Sequence, residues 1–259
     1  MNNGDMVSRA AGAFQAAVEA LAGALPNGFV EHGSDGALLA FTHSQIPALN
    51  GIVSAAPIPD RAEIALLGKK AEEQARAQNL PWSIRLRGEP EAEIVDLAAA
   101  HGLTTLTRQP FMLLPLEDGR PGPEFDATAS VRPLRDSEYE TFATVLGAAF
   151  GAPPAIITSL YTPLVLGLPF VSAYLAEVDG VPAAAGLAIL SERHVGLANI
   201  GTLPDYRRRG LGRAVTEAIL RDARAAGAHT AYLHSGDETV PFFERASFRT
   251  AESWASFTG

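Results

Sequence analysis

The stretch Arg207-Arg208-Arg209-Gly210-Leu211-Gly212-Arg213 stands between an apolar, strand-like segment at 195–202 and a helix-like one at 211–226. A strand that breaks into a basic, glycine-bearing turn and then opens a helix is built to hold phosphate. The first N–H groups of a helix lack partners within it, and the helix dipole favours negative charge there. Glycine lets the backbone approach an anion closely, because no Cβ intervenes. A dinucleotide-binding reading of Gly210-x-Gly212 fails, since position 215 is Val and the preceding strands are hairpin-linked. A solvated basic turn opening an ordinary helix is the plain alternative.

Working outward, the flanking pattern is regular. The sequence predicts a short strand at 130–133, a helix to Phe150 with Asp136 as its N-cap and a second, apolar helix at 155–166. Strands at 170–178 and 181–190 are joined by Asp179-Gly180, a hairpin turn signal, and a further turn at 191–194 leads into 195–202. After the basic turn and its helix come a strand at 229–235, a short helix at 240–245 and a last strand at 248–257. The order is β-α-α-β-β-β-α-β-α-β.

Upstream, helices are expected at 5–25, 61–78 and 89–101, and strands at 36–42, 51–55, 82–86 and 111–116. This half has no glycine-rich phosphate turn. Leu116 to Ser130 contains Glu117-Asp118-Gly119-Arg120-Pro121-Gly122-Pro123 and reads as a linker. It places a boundary near residue 125, dividing the chain into domains 1–125 and 126–259.

Composition sets outer limits. The 259 residues are 47% hydrophobic and 19% charged, as in ordinary globular proteins. Cysteine is absent, which excludes disulfides, thiolate metal sites and a cysteine nucleophile, and no metal site is expected. No apolar run approaches the roughly 20 residues that span a bilayer, and residues 1–8 lack the order of a signal peptide. A cytoplasmic protein without membrane contact is expected. The net charge of −9 argues against nucleic acid as a partner and suits a cationic substrate. Residues 1–129 carry 9 basic and 16 acidic groups, and residues 130–259 carry 11 and 13, all eleven being arginine. The cluster at 207–213 is therefore a local feature.

That element order, with Pro204-Asp205-Tyr206-Arg207-Arg208-Arg209-Gly210-Leu211-Gly212 at its centre, resembles the GCN5-related N-acetyltransferase (GNAT) family. Arg207, Gly210 and Gly212 match the family's Gln/Arg-x-x-Gly-x-Gly/Ala signature, and Pro241-Phe242-Phe243-Glu244-Arg245-Ala246-Ser247-Phe248 resembles its closing element. The first half, through Leu80-Pro81-Trp82, His101-Gly102-Leu103 and Gln109-Pro110-Phe111-Met112, resembles the degenerate domain of tandem members. The resemblance implies an α+β fold: a C-terminal acetyltransferase domain, its mixed and mostly antiparallel sheet flanked by helices, after a smaller degenerate one.

It further implies acetyl-CoA as cofactor and a primary amine, either a small molecule or a peptide N-terminus, as acceptor, attacked directly in a ternary complex. The pyrophosphate would rest on Arg207, Arg208, Arg209, Gly210, Leu211, Gly212 and Arg213, and the pantetheine arm on Ile200, Gly201 and Thr202. Phe243 stands where the family often places an acidic tyrosine, Gly236 where an asparagine is common, and Ser247 where a glycine precedes the closing phenylalanine. Phe243 is then a wall of the thioester pocket or a core aromatic. For the amine's proton, Asn199, which could orient a water, His234, which ends the strand leading to Phe243, and His194, in a turn beside the third and fourth strands, are the candidates. A strand asparagine bonded to backbone and a histidine packed at a strand end are their plain alternatives. The missing tyrosine keeps a non-catalytic acyl-CoA-binding sensor as the rival function. A homodimer stays open.

Overall fold

The computed structural model describes residues 3–116 and 130–259; the boundary near 125 and the expected linker, apart from its end residues Leu116 and Ser130, fall outside these. The chain divides into two compact units, Met1–Leu113 with His234–Gly259, and Leu114–Leu233.

In the first unit, α1 (Asn3–Ala24) precedes three short strands, β1 (Phe29–His32), β2 (Leu38–Phe41) and β3 (Asn50–Ser54). Helix α2 (Arg61–Gln78) crosses to β4 (Ser83–Arg87), and α3 (Ala92–Ala100) leads to β5 (Thr105–Pro115). The end of the chain adds α8 (Val240–Arg245) and β11 (Arg249–Thr258). The strand order is β1-β2-β3-β4-β11-β5. All neighbours are antiparallel except β3 and β4, which α2 joins in parallel. The apolar stripe of α2 (Ile64, Leu67, Ala71, Ala75) closes over Leu39, Phe41, Ile52, Ile84 and Leu86, with Ile94 and Ala98 of α3 beside it. Burial of this kind stabilises by about 25 cal/mol per Å² of apolar surface.

The start of α2 is closed by the protein itself. Asp60 caps it, its carboxylate accepting from the Glu63 N–H at 2.7 Å. The carboxylate of Glu63, buried, accepts in turn from the N–H groups of Asp35 and Ala37.

The second unit repeats that plan. It comprises β6 (Ser130–Pro133), α4 (Tyr139–Phe150), α5 (Pro154–Leu160), α6 (Pro163–Leu166), β7 (Val171–Val178), β8 (Val181–Ser191), β9 (His194–Thr202), α7 (Leu211–Ala225) and β10 (Thr230–His234, to Leu233 in this unit). The order is β10-β9-β8-β7-β6. The β6–β9 neighbours are antiparallel, and α7 joins β9 to β10 in parallel. A Cβ at Gly186 would meet Val215 and Ile219 of α7, and one at Gly201 would meet Leu146 and Ala149 of α4. Gly201 pairs with Ala185, which faces the opposite side of the sheet from its neighbour Gly186. Helices α4 and α7 therefore cover opposite faces of the sheet, which is the mixed α+β arrangement expected of this half.

Several expectations need correction. The strand β1 was not anticipated; three of its four residues are only partly buried and His32 is exposed. The helix expected over 155–166 is two, broken where Pro163 starts the second and Thr162 caps it. Asp136 opens a 3-10 turn before α4 rather than capping that helix. The division into consecutive halves also differs from the compact units, because β11 lies between β4 and β5 of the first unit.

Candidate functional site: a frayed strand and an uncapped helix

The geometry of interest is at the C-terminal end of β9. It pairs with β10 only through Thr230↔His194, Ala231↔Val195 and Tyr232↔Gly196. At the last of these, the missing side chain of Gly196 makes room for the Tyr232 ring; a Cβ there would lie 2.8 Å from it. Beyond that point β9 runs on to Thr202, held by β8 alone. Among the described residues, the opposite edge over 197–202 has no strand beside it. Unpaired backbone donors and acceptors in an otherwise ordered strand are ready to pair with an extended ligand.

A bulge interrupts this same stretch. Ala185 pairs with Gly201 and Leu187 with Ala198, so Asn199 and Ile200 together oppose Gly186. Asn199 takes the left-handed conformation, φ 52°. Asparagine tolerates this better than most residues. Its Nδ2 donates to the hydroxyl of Tyr161, which follows α5 and is buried. Burial pushes the Tyr161 phenol well above its ordinary range, the Asn199 contact opposing this in part, so the ring stays protonated.

Past Thr202 the chain makes a 3-10 turn, Pro204–Tyr206, and enters α7. Three of the arginines shape this turn. Arg207 donates to the carbonyls of Thr202 (3.3 Å) and Ala149 (2.8 Å), tying the end of β9 to the last turn of α4. A cation at a helix C-terminus also suits its dipole. Arg209 donates to the Asp205 carbonyl at 3.2 Å and lies over the Tyr206 ring, 5.1 Å from its centre. Arg213 pairs with Glu217 one turn along α7. Arg208 (φ 62°) is exposed.

Gly210 occupies the N-cap position with φ 80°, and no side chain caps the helix. A Cβ placed on Gly210 would meet nothing within 4 Å, so the space above it is open. Among the described residues, the N–H groups of Gly210, Leu211 and Gly212 make no backbone hydrogen bond outside the helix, and the Ala214 N–H donates to the Gly210 carbonyl. The uncapped helix start thus offers main-chain donors with open space above Gly210, and the turn fits the phosphate end of acetyl-CoA.

The structure thus gathers Asn199, Ile200, Gly201, Thr202 and residues 207–213 in one unit. His234 and Phe243 belong to the other. The His234 ring packs against Phe14, Phe111 and Trp254, with centroids 4.5, 4.8 and 5.1 Å away. Burial first, and the charge of Arg85 second, hold its imidazole well below its usual pKa. Phe243 stacks edge-on with Phe242 and Phe248 and is half-buried. Tyr161 was not singled out from the sequence: it lies 38 residues from Asn199, and no spacing rule joins them. Among the described residues, no cluster of metal-ligating side chains is present, and no helix is long and apolar enough to cross a membrane.

Comparison with known proteins agrees with this geometry. Residues 144–248 match the model of the acetyltransferase (GNAT) family. Among solved structures, the chain is similar to a GCN5-related N-acetyltransferase from Kribbella flavida (21% identity, TM-score 0.72, covering 97% of this chain and 95% of that one). A conserved protein of unknown function from Staphylococcus epidermidis aligns at 12% identity and TM-score 0.63, over 90% and 94% of the two chains. A tandem GNAT protein from the clavulanic acid biosynthesis pathway aligns at 15% and 0.57, over 91% and 84%. At these identities the structural likeness concerns the fold. No curated protein matches the chain significantly. The chain thus matches the acetyltransferase (GNAT) family model over residues 144–248 and shares the fold of solved GCN5-related N-acetyltransferases.

Proposed function

We propose that the protein transfers an acetyl group from acetyl-CoA to a primary amine by direct attack in a ternary complex. The observation that carries this reading is the run from an unpaired strand edge at 197–202 into an uncapped helix start at 208–212. In this reading the N–H groups of Arg208, Arg209, Gly210, Leu211 and Gly212 hold the pyrophosphate, with Arg213 at the same helix start. Arg207 acts on the turn rather than the ligand, because its guanidinium is already committed to two carbonyls. The edge of Ile200, Gly201 and Thr202 pairs with the pantetheine arm. When bound, acetyl-CoA supplies an activated acyl group with a thiolate leaving group.

The chain's own residues then position and polarise. Backbone donors held by the sheet need no reorganisation as negative charge develops on the carbonyl oxygen. Asn199, fixed by Tyr161, orients a water that takes the proton of the attacking amine. A thiol with a pKa near 8.5 is a tolerable leaving group without an acid, so the absence of a tyrosine at 243 does not exclude turnover. We assign the first unit a structural or substrate-shaping role. Its equivalent turn is closed by Asp60, and its parallel pair stays zipped to the last residue of β3, Ser54↔Leu86.

Thermal-shift and calorimetric titration with acetyl-CoA, followed by an amine-library screen for CoA release, tests the reading. Saturable binding with turnover is expected. Binding without turnover for any amine would favour the sensor, for which Phe243 is the specific support. No binding would reject both.

A further inference from the structure

The first unit contains a buried cation with too few partners. Arg85, in β4, is only 8% exposed. Its guanidinium donates once, at the long distance of 3.5 Å, to the carbonyl of Ala48. It also lies over Phe14, 4.7 Å from the ring centre. Among the described residues, no carboxylate pairs with it. The carboxylate of Glu252 is committed to Arg87, two residues along the same strand face, at 2.7 Å, and to the indole N–H of Trp254 at 2.9 Å.

His234 shares the Phe14 ring with Arg85, its own ring 4.5 Å from that centre, and its Nε2 is closed off from solvent without a hydrogen-bond partner. Buried polar atoms in native proteins are nearly always satisfied, and an unpaired buried charge is costlier still. The unsatisfied His234 Nε2 lies in the aromatic cluster of Phe14, Phe111 and Trp254, and Arg85, with its single long hydrogen bond, shares the Phe14 ring with it.

We propose that this cluster binds the carboxylate of a small organic acid, Arg85 gripping it with its planar fork and His234 donating one imidazole N–H. The carboxylate fits better than phosphate for two reasons. With Arg87 neutralised by Glu252, the local excess is a single positive charge, which matches a monoanion. The guanidinium fork also meets two coplanar oxygens in parallel hydrogen bonds. Burial draws the Arg85 pKa down to about 10, which still leaves it charged at neutral pH, and burial with the Arg85 charge keeps the His234 imidazole neutral, with one N–H to donate. The inference uses none of the residues assigned to acetyl-CoA and stands apart from that reading.

The test is calorimetric and thermal-shift titration of the full chain with acetate, benzoate and succinate, against phosphate and chloride at matched ionic strength. Saturable stabilisation by at least one carboxylate is expected. Arg85→Met should weaken it at least tenfold, and Arg85→Lys, which keeps the charge without the fork, should fall between. Ligand-free Arg85→Met should melt no lower than the wild type, since it removes an uncompensated buried charge. The His234 imidazole ¹⁵N shifts of the wild type should move with the same titration. Four results would overturn the proposal: no carboxylate binds; Arg85→Met binds as well as wild type; phosphate alone gives the saturable shift; or ligand-free Arg85→Met melts clearly lower, which would make Arg85 a structural residue.

Discussion

At the scale of single residues, three positions separate strain from chemistry. Gly210 has φ 80° with open space where a side chain would stand. An L-residue there pays roughly 1–2 kcal/mol in backbone strain and puts its Cβ in the anion's approach. Gly210→Val is therefore expected to fold with a lowered Tm and to lose acetyl-CoA affinity by calorimetry; a folded variant of unchanged affinity contradicts the assignment. Asn199 combines a left-handed backbone with a side chain held by Tyr161. Asn199→Gly keeps the bulge and removes the amide, so kcat should fall while the KM for acetyl-CoA changes little. Tyr161→Phe, which leaves the Asn199 amide without its partner, should act in the same direction, with about 1 kcal/mol lost from stability. Phe243→Tyr should raise kcat if protonation of the thiolate limits the reaction; an unaltered rate with a known acceptor means that it does not. Of these positions, Gly210 was legible in the sequence because the need for φ > 0 and a close anion both select glycine. Tyr161 was not, because its role depends on a tertiary contact.

Between elements, the decisive contrast is between two helix starts built on the same strand–helix–strand plan. Asp60 spends its own carboxylate on the start of α2, whereas Gly210 leaves the start of α7 open. The Arg-x-x-Gly-x-Gly turn before α7 was legible as an anion turn, whereas the Asp60 cap of α2 was not singled out from the sequence. The fraying of β9 from β10 is less visible, since nothing in the alternation of 195–202 shows where a neighbour stops. A second junction makes a pH prediction. Arg132 in β6 bonds the carboxylate of Glu138, just before α4, at 2.7 and 2.8 Å, and also that of Glu177 in β7. The Arg132 bonds first, and the Arg135 N–H second, hold the Glu138 carboxyl down to about 2 from its ordinary 4.5. Because the folded value lies below the unfolded one, this stabilisation is complete above about 4.5 and is lost as pH falls through about 2. Glu138→Gln should therefore lower Tm at neutral pH, with the gap to wild type narrowing through that window; a pH-independent gap would show that the ion pair does not contribute.

For the whole molecule, the sequence shows a repeat that the chain order conceals in part. The long helices and hairpins were readable because their periodicity is local. The place of β11 was not, because strand order is set by long-range pairing and β11 inserts between β4 and β5, more than 130 residues upstream. Its Trp254 and Phe257 are each 1% exposed. A chain ending at residue 247 should lose hydrogen-exchange protection in β4 and β5 while β7 to β9 keep theirs; retained protection in β4 would contradict this pairing. The central claim concerns the bend at 208–212, and a crystal structure of the protein with coenzyme A tests it most directly. The account predicts the diphosphate on the N–H groups of Arg208 to Gly212 and the pantetheine arm along Ile200 to Thr202. Coenzyme A bound elsewhere, or those amides filled by the protein's own groups, would contradict it.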